Sequence, residues 1–180
     1  MRKFICIFIS CVLFALTLCT TVSAQEANIV DYQNYLGVIC NADGEIVETI
    51  PMPRITYVDS VVELSANLES GYTFTTYQYK PTGGFNIGFK CIDDNGNVVT
   101  TRNCRVKMAI YNSASVGGTR TLVESQTFST NEEDNDLYYD GWVEIYTDSI
   151  SSSKPYYNGV FTNMSSKKLT IRIGVSCNGI

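Results

Sequence analysis

Chemistry in a protein begins with side chains that carry protons, hold metals or attack carbon, and this chain has no histidine among its 180 residues. That excludes a Ser-His-Asp triad, a Cys-His nucleophile and imidazole metal ligation. Carboxylates, aromatic rings and cysteines are what remain. The segment Asn131-Glu132-Glu133-Asp134-Asn135-Asp136-Leu137-Tyr138-Tyr139-Asp140 concentrates acids, and Asp134, Asp136 and Asp140 could gather oxygen ligands around a structural calcium ion. No other cofactor is implied. The spacing departs from an EF-hand loop, which alternates acids, then a glycine, then a later glutamate. A solvated acidic loop is the simpler reading. A glycosidase pair drawn from Glu132, Glu133 or Glu144 would need two carboxyls at a set separation across a cleft.

Aromatic side chains form the second set. Tyr138, Tyr139 and Trp142, and again Tyr156 and Tyr157, fall in or beside predicted loops. There a ring face can stack on a sugar or anchor a protein partner. The polar run after Cys91 adds Asp93, Asp94 and Arg102 as candidate ligand-binding groups.

The cysteines read as structural. Of seven, Cys6, Cys11 and Cys19 lie in an apolar N-terminal run, leaving Cys40, Cys91, Cys104 and Cys177. None of these four is spaced as Cys-x-x-Cys, so zinc is disfavoured and two disulfides are expected in an exported chain. Export itself is read from the N-terminus. Arg2 and Lys3 precede the apolar run Phe4 to Cys19, and Val22-Ser23-Ala24 is a small-residue cleavage box. This is the build of a secretory signal peptide over residues 1–24, with a head short enough to suggest bacterial export. Leu18 stands where a lipoprotein signal would want a small residue before Cys19.

Residues 25–34 show no period and are expected to form a mobile N-terminal segment, with one domain over residues 35–180. Loss of Arg2 and Lys3 takes the formal charge from −5 to −7. A domain this acidic repels phosphate backbones and anionic membranes, so nucleic acid is set aside as a partner. No later stretch is long and apolar enough to insert the mature chain into a membrane. The Asn163-Met164-Ser165 sequon has meaning only in a eukaryotic secretory host.

These groups must be positioned by strands. Alternation of apolar and polar residues predicts strands near 36–40, 46–50, 72–80, 85–91, 104–111, 119–128, 142–147, 156–162 and 168–177. Residues 60–70 are ambiguous: Val62, Leu64, Ala66 and Leu68 alternate, yet Ser60-x-x-Glu63 could cap a helix. The strict period of two favours a strand. About nine short strands and no convincing helix predict an all-β fold, an antiparallel β-sandwich of immunoglobulin-like or jelly-roll type.

Parity places each cysteine on a packed face: Cys40 with Leu36 and Val38, Cys91 with Phe89, Cys104 with Val106, Cys177 with Val175. If the strands after Phe85 and after Cys104 pair so that every inward partner is apolar, Cys91 faces Cys104. That predicts Cys91–Cys104 and, by elimination, Cys40–Cys177, with Ile92 to Asn103 as a projecting loop. The residue types point to a secreted, non-catalytic β-sandwich module that binds an extracellular protein or glycan through its loops. A small carboxylate-dependent polysaccharide hydrolase and an assembly subunit pairing through an edge strand are the alternatives.

Overall fold

The computed structural model describes residues 35–51, 62–97, 104–129 and 142–177. The chain divides into two units, Met1–Val30 and Asp31–Ile180, and the described residues all belong to the second. They form ten strands: β1 Tyr35–Cys40, β2 Ile46–Pro51, β3 Val62–Leu68, β4 Thr73–Thr76, β5 Phe85–Cys91, β6 Arg105–Ser113, β7 Thr121–Ser129, β8 Val143–Thr147, β9 Tyr156–Asn163 and β10 Leu169–Ser176. No helix occurs among the described residues, and the 62–68 segment is a strand.

Two antiparallel sheets result. One has six strands in the order β2-β1-β4-β9-β6-β7, the other four in the order β3-β10-β5-β8. The pairs β3/β10, β4/β9, β5/β8 and β6/β7 are all antiparallel neighbours. They trace one long ribbon that doubles back between β6 and β7. Successive rungs of that ribbon fall in alternate sheets until β6/β7 closes it, which is the winding of a jelly roll rather than of an immunoglobulin domain. The β1–β2 hairpin extends the larger sheet through β4.

The core fills the space between the sheets. From the six-stranded sheet, Ile39, Phe74, Phe161 and Met108 are successive register partners and all are essentially inaccessible to solvent. From the four-stranded sheet, Leu64, Ile173, Phe89 and Val143 form the matching row. The layers pack closely at Gly159: a Cβ there would lie 2.9 Å from Ile87 Cγ2. Each large apolar side chain so buried contributes about 1.5–3 kcal/mol relative to exposure.

Three sequence expectations are corrected by register. The predicted 72–80 strand stops at Thr76, because the buried Gln78 side chain leaves the ladder. Its Nε2 donates to Ser113 Oγ (3.0 Å), while its Oε1 accepts the Gly117 N–H (2.7 Å). In β1 a register irregularity between Tyr35 and Gly37 shifts the alternation. Leu36 and Ile39 are the core residues, so Cys40 does not point inward with Leu36. Finally, β5 and β6 are not ladder neighbours. Each is central in its own sheet, β5 between β10 and β8, β6 between β9 and β7. Their apolar faces meet across the core instead.

Candidate functional site

Strand β8 is an edge strand of the smaller sheet, and its alternation is clean. Val143 and Ile145 are buried, whereas Glu144 is exposed and Tyr146 retains 66% of its accessible surface. Trp142, just before the strand, shares the outward parity. Tyr146 is the most exposed large apolar side chain among the described residues. Four residues of strand set Trp142 and Tyr146 about 13 Å apart along the edge.

The neighbouring strands complete this outer face. Across β5, Asn86 pairs with Tyr146 and Gly88 with Glu144. Across β10, Lys90 pairs with Arg172, Gly88 with Gly174, and Asn86 with Ser176. Adjacent glycines on two central strands, both buried, let a neighbouring side chain lie over the middle of the sheet. Glu144 leans into that space: a Cβ on Gly88 would sit 2.9 Å from Glu144 Cγ. The Glu144 carboxylate is fixed by Asn86 Nδ2, which donates to Oε2 at 2.8 Å. Asn86 Oδ1 is buried without a protein partner. At one end Lys90 Nζ lies 4.8 Å from the centre of the Trp142 ring, holding that indole in place by cation–π attraction. On the far side, Thr170 Oγ1 donates to Asn67 Oδ1 at 2.8 Å.

This arrangement combines two aromatic rings, a carboxylate, an amide and a cation on one face of the sheet. Such a surface can stack the C–H face of a sugar ring and exchange hydrogen bonds with its hydroxyls.

No family model and no curated protein matches the sequence. Solved structures with a similar backbone include a mitogen derived from Yersinia pseudotuberculosis. It is 5% identical, with a TM-score of 0.44 over 68% of this chain and 90% of that one. The C-terminal family 22 carbohydrate-binding module of Clostridium thermocellum Xyn10B is 13% identical, with a TM-score of 0.32 over 69% of this chain and 89% of that one. The K1 cleaved adhesin domain of Lys-gingipain from Porphyromonas gingivalis is 15% identical, with a TM-score of 0.35 over 83% and 88% respectively. At such scores the likeness carries nothing about ligand or partner.

The aromatic candidates separate. Trp142 is on the outer face just described. Tyr156 is on the other sheet, with Lys80 Nζ 5.9 Å from its ring centre. Tyr157 is a core residue, 1% exposed, and no ligand platform. Its strand parity points the ring inward against Phe85, at 5.7 Å between centroids, and its hydroxyl donates to Ser149 O and accepts the Ser151 N–H. Tyr138, Tyr139, Arg102, Asp134, Asp136 and Asp140 lie outside the described residues. Among the described residues no three acids or cysteines gather as a metal site.

Asp93 organises its own turn. Oδ1 accepts the Asn97 N–H (2.8 Å) and the Asn95 N–H (2.9 Å), and Oδ2 accepts Asn97 Nδ2 (3.2 Å). Those bonds, the Asn97 backbone first, hold its carboxyl below the usual range. Asp94 is exposed in the same turn. The sequon asparagine is also structural. Asn163 is fully buried and donates through Nδ2 to Leu68 O and Lys167 O.

The cysteines fall into one close pair and two separate residues. Cys91 and Cys104 are buried and their thiols are hydrogen-bonded to each other. Cys40 and Cys177 lie at different levels of different sheets. Cys40 is level with Thr73, Thr162 and Lys107, near the Cys104 end. Cys177 follows Ser176, the partner of Asn86 at the other end. Cys177 is six residues along β10 from the Cys91 level and Cys40 three from the Cys104 level. About three residues of strand, or ~10 Å, therefore separate the two, beyond a disulfide's reach, and both are free thiols. The Cys40–Cys177 pairing expected by elimination is therefore corrected: elimination assumed that all four cysteines faced one core.

Sequence reading missed Tyr146, Asn86, Lys90 and Gly88. Tyr146 carried a signal, its shared parity with Trp142 and Glu144. The other three lie on a strand more than fifty residues earlier, and only the β5–β8 ladder brings them alongside.

Proposed function

We propose that this chain is an exported, non-catalytic binding module that holds a glycan across the outer face of its four-stranded sheet. Trp142 and Tyr146 are the stacking platforms, and Asn86 and Glu144 the groups that meet sugar hydroxyls. The observation that carries this is the exposed Tyr146 and the half-buried Trp142 flanking the exposed Glu144 on one outward face of β8, with Asn86 beside them on β5. The site is on strands rather than loops, which fixes the spacing of the platforms. A protein partner is less well suited, because protein hot spots rest on packed apolar pockets and between the two rings this face presents an amide and a carboxylate. The leader-like N-terminus supports a location outside the cell, where glycans are found.

A glycan array, followed by calorimetry with the soluble polysaccharides it selects, tests this. Trp142→Ala and Tyr146→Ala should each weaken binding at least tenfold, and Tyr156→Ala, on the other sheet, should leave it unchanged. No reducing ends should be released. Unaltered affinity in both face variants would overturn the assignment, and turnover abolished by Glu144→Gln would favour a hydrolase.

A further inference from the structure

The Cys91 and Cys104 thiols meet at one rim of the sandwich, and the surrounding register shows why they stay there. Cys91 is the register partner of Ile171 at the start of β10, and the Ile92 N–H donates to Thr170 O at 2.9 Å. Cys104 directly precedes Arg105, whose N–H donates to Ser165 Oγ (2.7 Å) and whose carbonyl accepts the Met164 N–H (2.8 Å). Cys104 is thus held beside the β9–β10 connection and Cys91 beside the first residues of β10 that follow it, one from each sheet, and both belong to the buried core.

We propose that Cys91 and Cys104 form a disulfide that joins the two sheets, and that Cys40 and Cys177 remain thiols. The bond forms by exchange with a disulfide donor of the exporting compartment, such as a thiol–disulfide oxidoreductase in its oxidised form. One thiolate of the pair attacks the donor's S–S bond and expels one donor thiolate. The second protein thiolate then attacks the mixed disulfide and expels the other. One S–S bond is made and one broken; the two electrons pass to the donor, which leaves as two thiols carrying the two protons. Cys104 is the better first nucleophile, since the hydrogen bond from Cys91 holds its thiol pKa below the ordinary value. A link between sheets differs from one across a hairpin: it resists separation of the layers rather than slippage of a ladder.

The test uses the full chain exported with its own leader, alkylated with iodoacetamide in denaturant without reductant, and digested with trypsin. Cleavage after Lys90, Arg102 and Arg105 should yield Cys91–Arg102 joined to Asn103–Arg105, two hydrogens lighter than the reduced pair. Cys40 and Cys177 should carry the alkyl group. Four alkylated cysteines, or a link from either residue to Cys40 or Cys177, would overturn the proposal. A second measurement needs no mapping. Reductant should lower the melting temperature of the wild type and of Cys40→Ser/Cys177→Ser by the same several degrees. It should not move that of Cys91→Ala/Cys104→Ala. No effect of reductant on the wild type would refute the bond.

Discussion

Asn163→Ala is the substitution whose cost can be worked most directly. Asn163 ends β9 in the six-stranded sheet with no accessible surface. Its Nδ2 donates at 2.8 Å to the carbonyl of Leu68, at the end of β3 in the other sheet, and at 2.8 Å to the carbonyl of Lys167. Its Oδ1 accepts the buried Ser165 N–H at 2.8 Å. Alanine removes all three bonds and leaves two buried backbone groups unpartnered, each costing about 1–3 kcal/mol. The Lys167 carbonyl is closer to water and adds less. The expected loss is about 3–5 kcal/mol, or roughly 10 °C in melting temperature for a domain of this size. Urea unfolding followed by tryptophan fluorescence measures it, with Asn163→Asp as the companion. Buried aspartate keeps the acceptor for Ser165, loses both donors as the carboxylate, and has its folded pKa raised by desolvation. Its stability should therefore be lowest at neutral pH and partly recover as acid restores an O–H donor. A loss under about 1 kcal/mol for Asn163→Ala would refute the accounting. The same geometry bears on the sequon: a glycan on Nδ2 would occupy the atom that ties β9 to β3.

Two further outcomes follow from close contacts and charge. Gly159→Ala places a Cβ 2.9 Å from Ile87 Cγ2 and 3.3 Å from Phe161 Cε2. It should cost about 1–3 kcal/mol by overpacking, with part recovered in Gly159→Ala/Ile87→Ala; a neutral single variant would contradict the packing. The Asp93 carboxyl is held below its ordinary 3.8. The turn is therefore fully stabilised above that pH and loses its contribution as pH falls through the lower folded value. NMR titration should show the Asn95 and Asn97 amides shifting with a midpoint below 3.8, and a midpoint at or above it would refute the Asp93 bonds.

Strand positions were legible because alternation reports which face a residue takes, and the two-sheet architecture followed from their number. Partners were less legible. Phe85, Ile87 and Phe89 are apolar whether Ile110, Met108 and Val106 lie beside them in a ladder or across from them in the core, so parity alone cannot choose. The proximity of Cys91 and Cys104 emerges either way, though the hairpin used to infer it does not exist. Cys40 was misplaced because the register shift near Leu36 leaves no mark in composition. Of the outer face, Trp142 was legible as an aromatic beside a loop. Its neighbours Lys90 and Asn86 were not, because nothing local to β5 announces that β8 will pair with it.

The winding of the ribbon has a consequence for how this protein is made. Strand β10, the last among the described residues, sits inside the four-stranded sheet between β3 and β5. Until Leu169–Ser176 is in place, β3 and β5 have no strand to join them, and the β5–β8 pair that carries Asn86 and Tyr146 lacks its other neighbour. Closure of the four-stranded sheet therefore waits on β10. The four-stranded layer is thus closed by a pairing of high sequence separation, and such pairings form late and slowly.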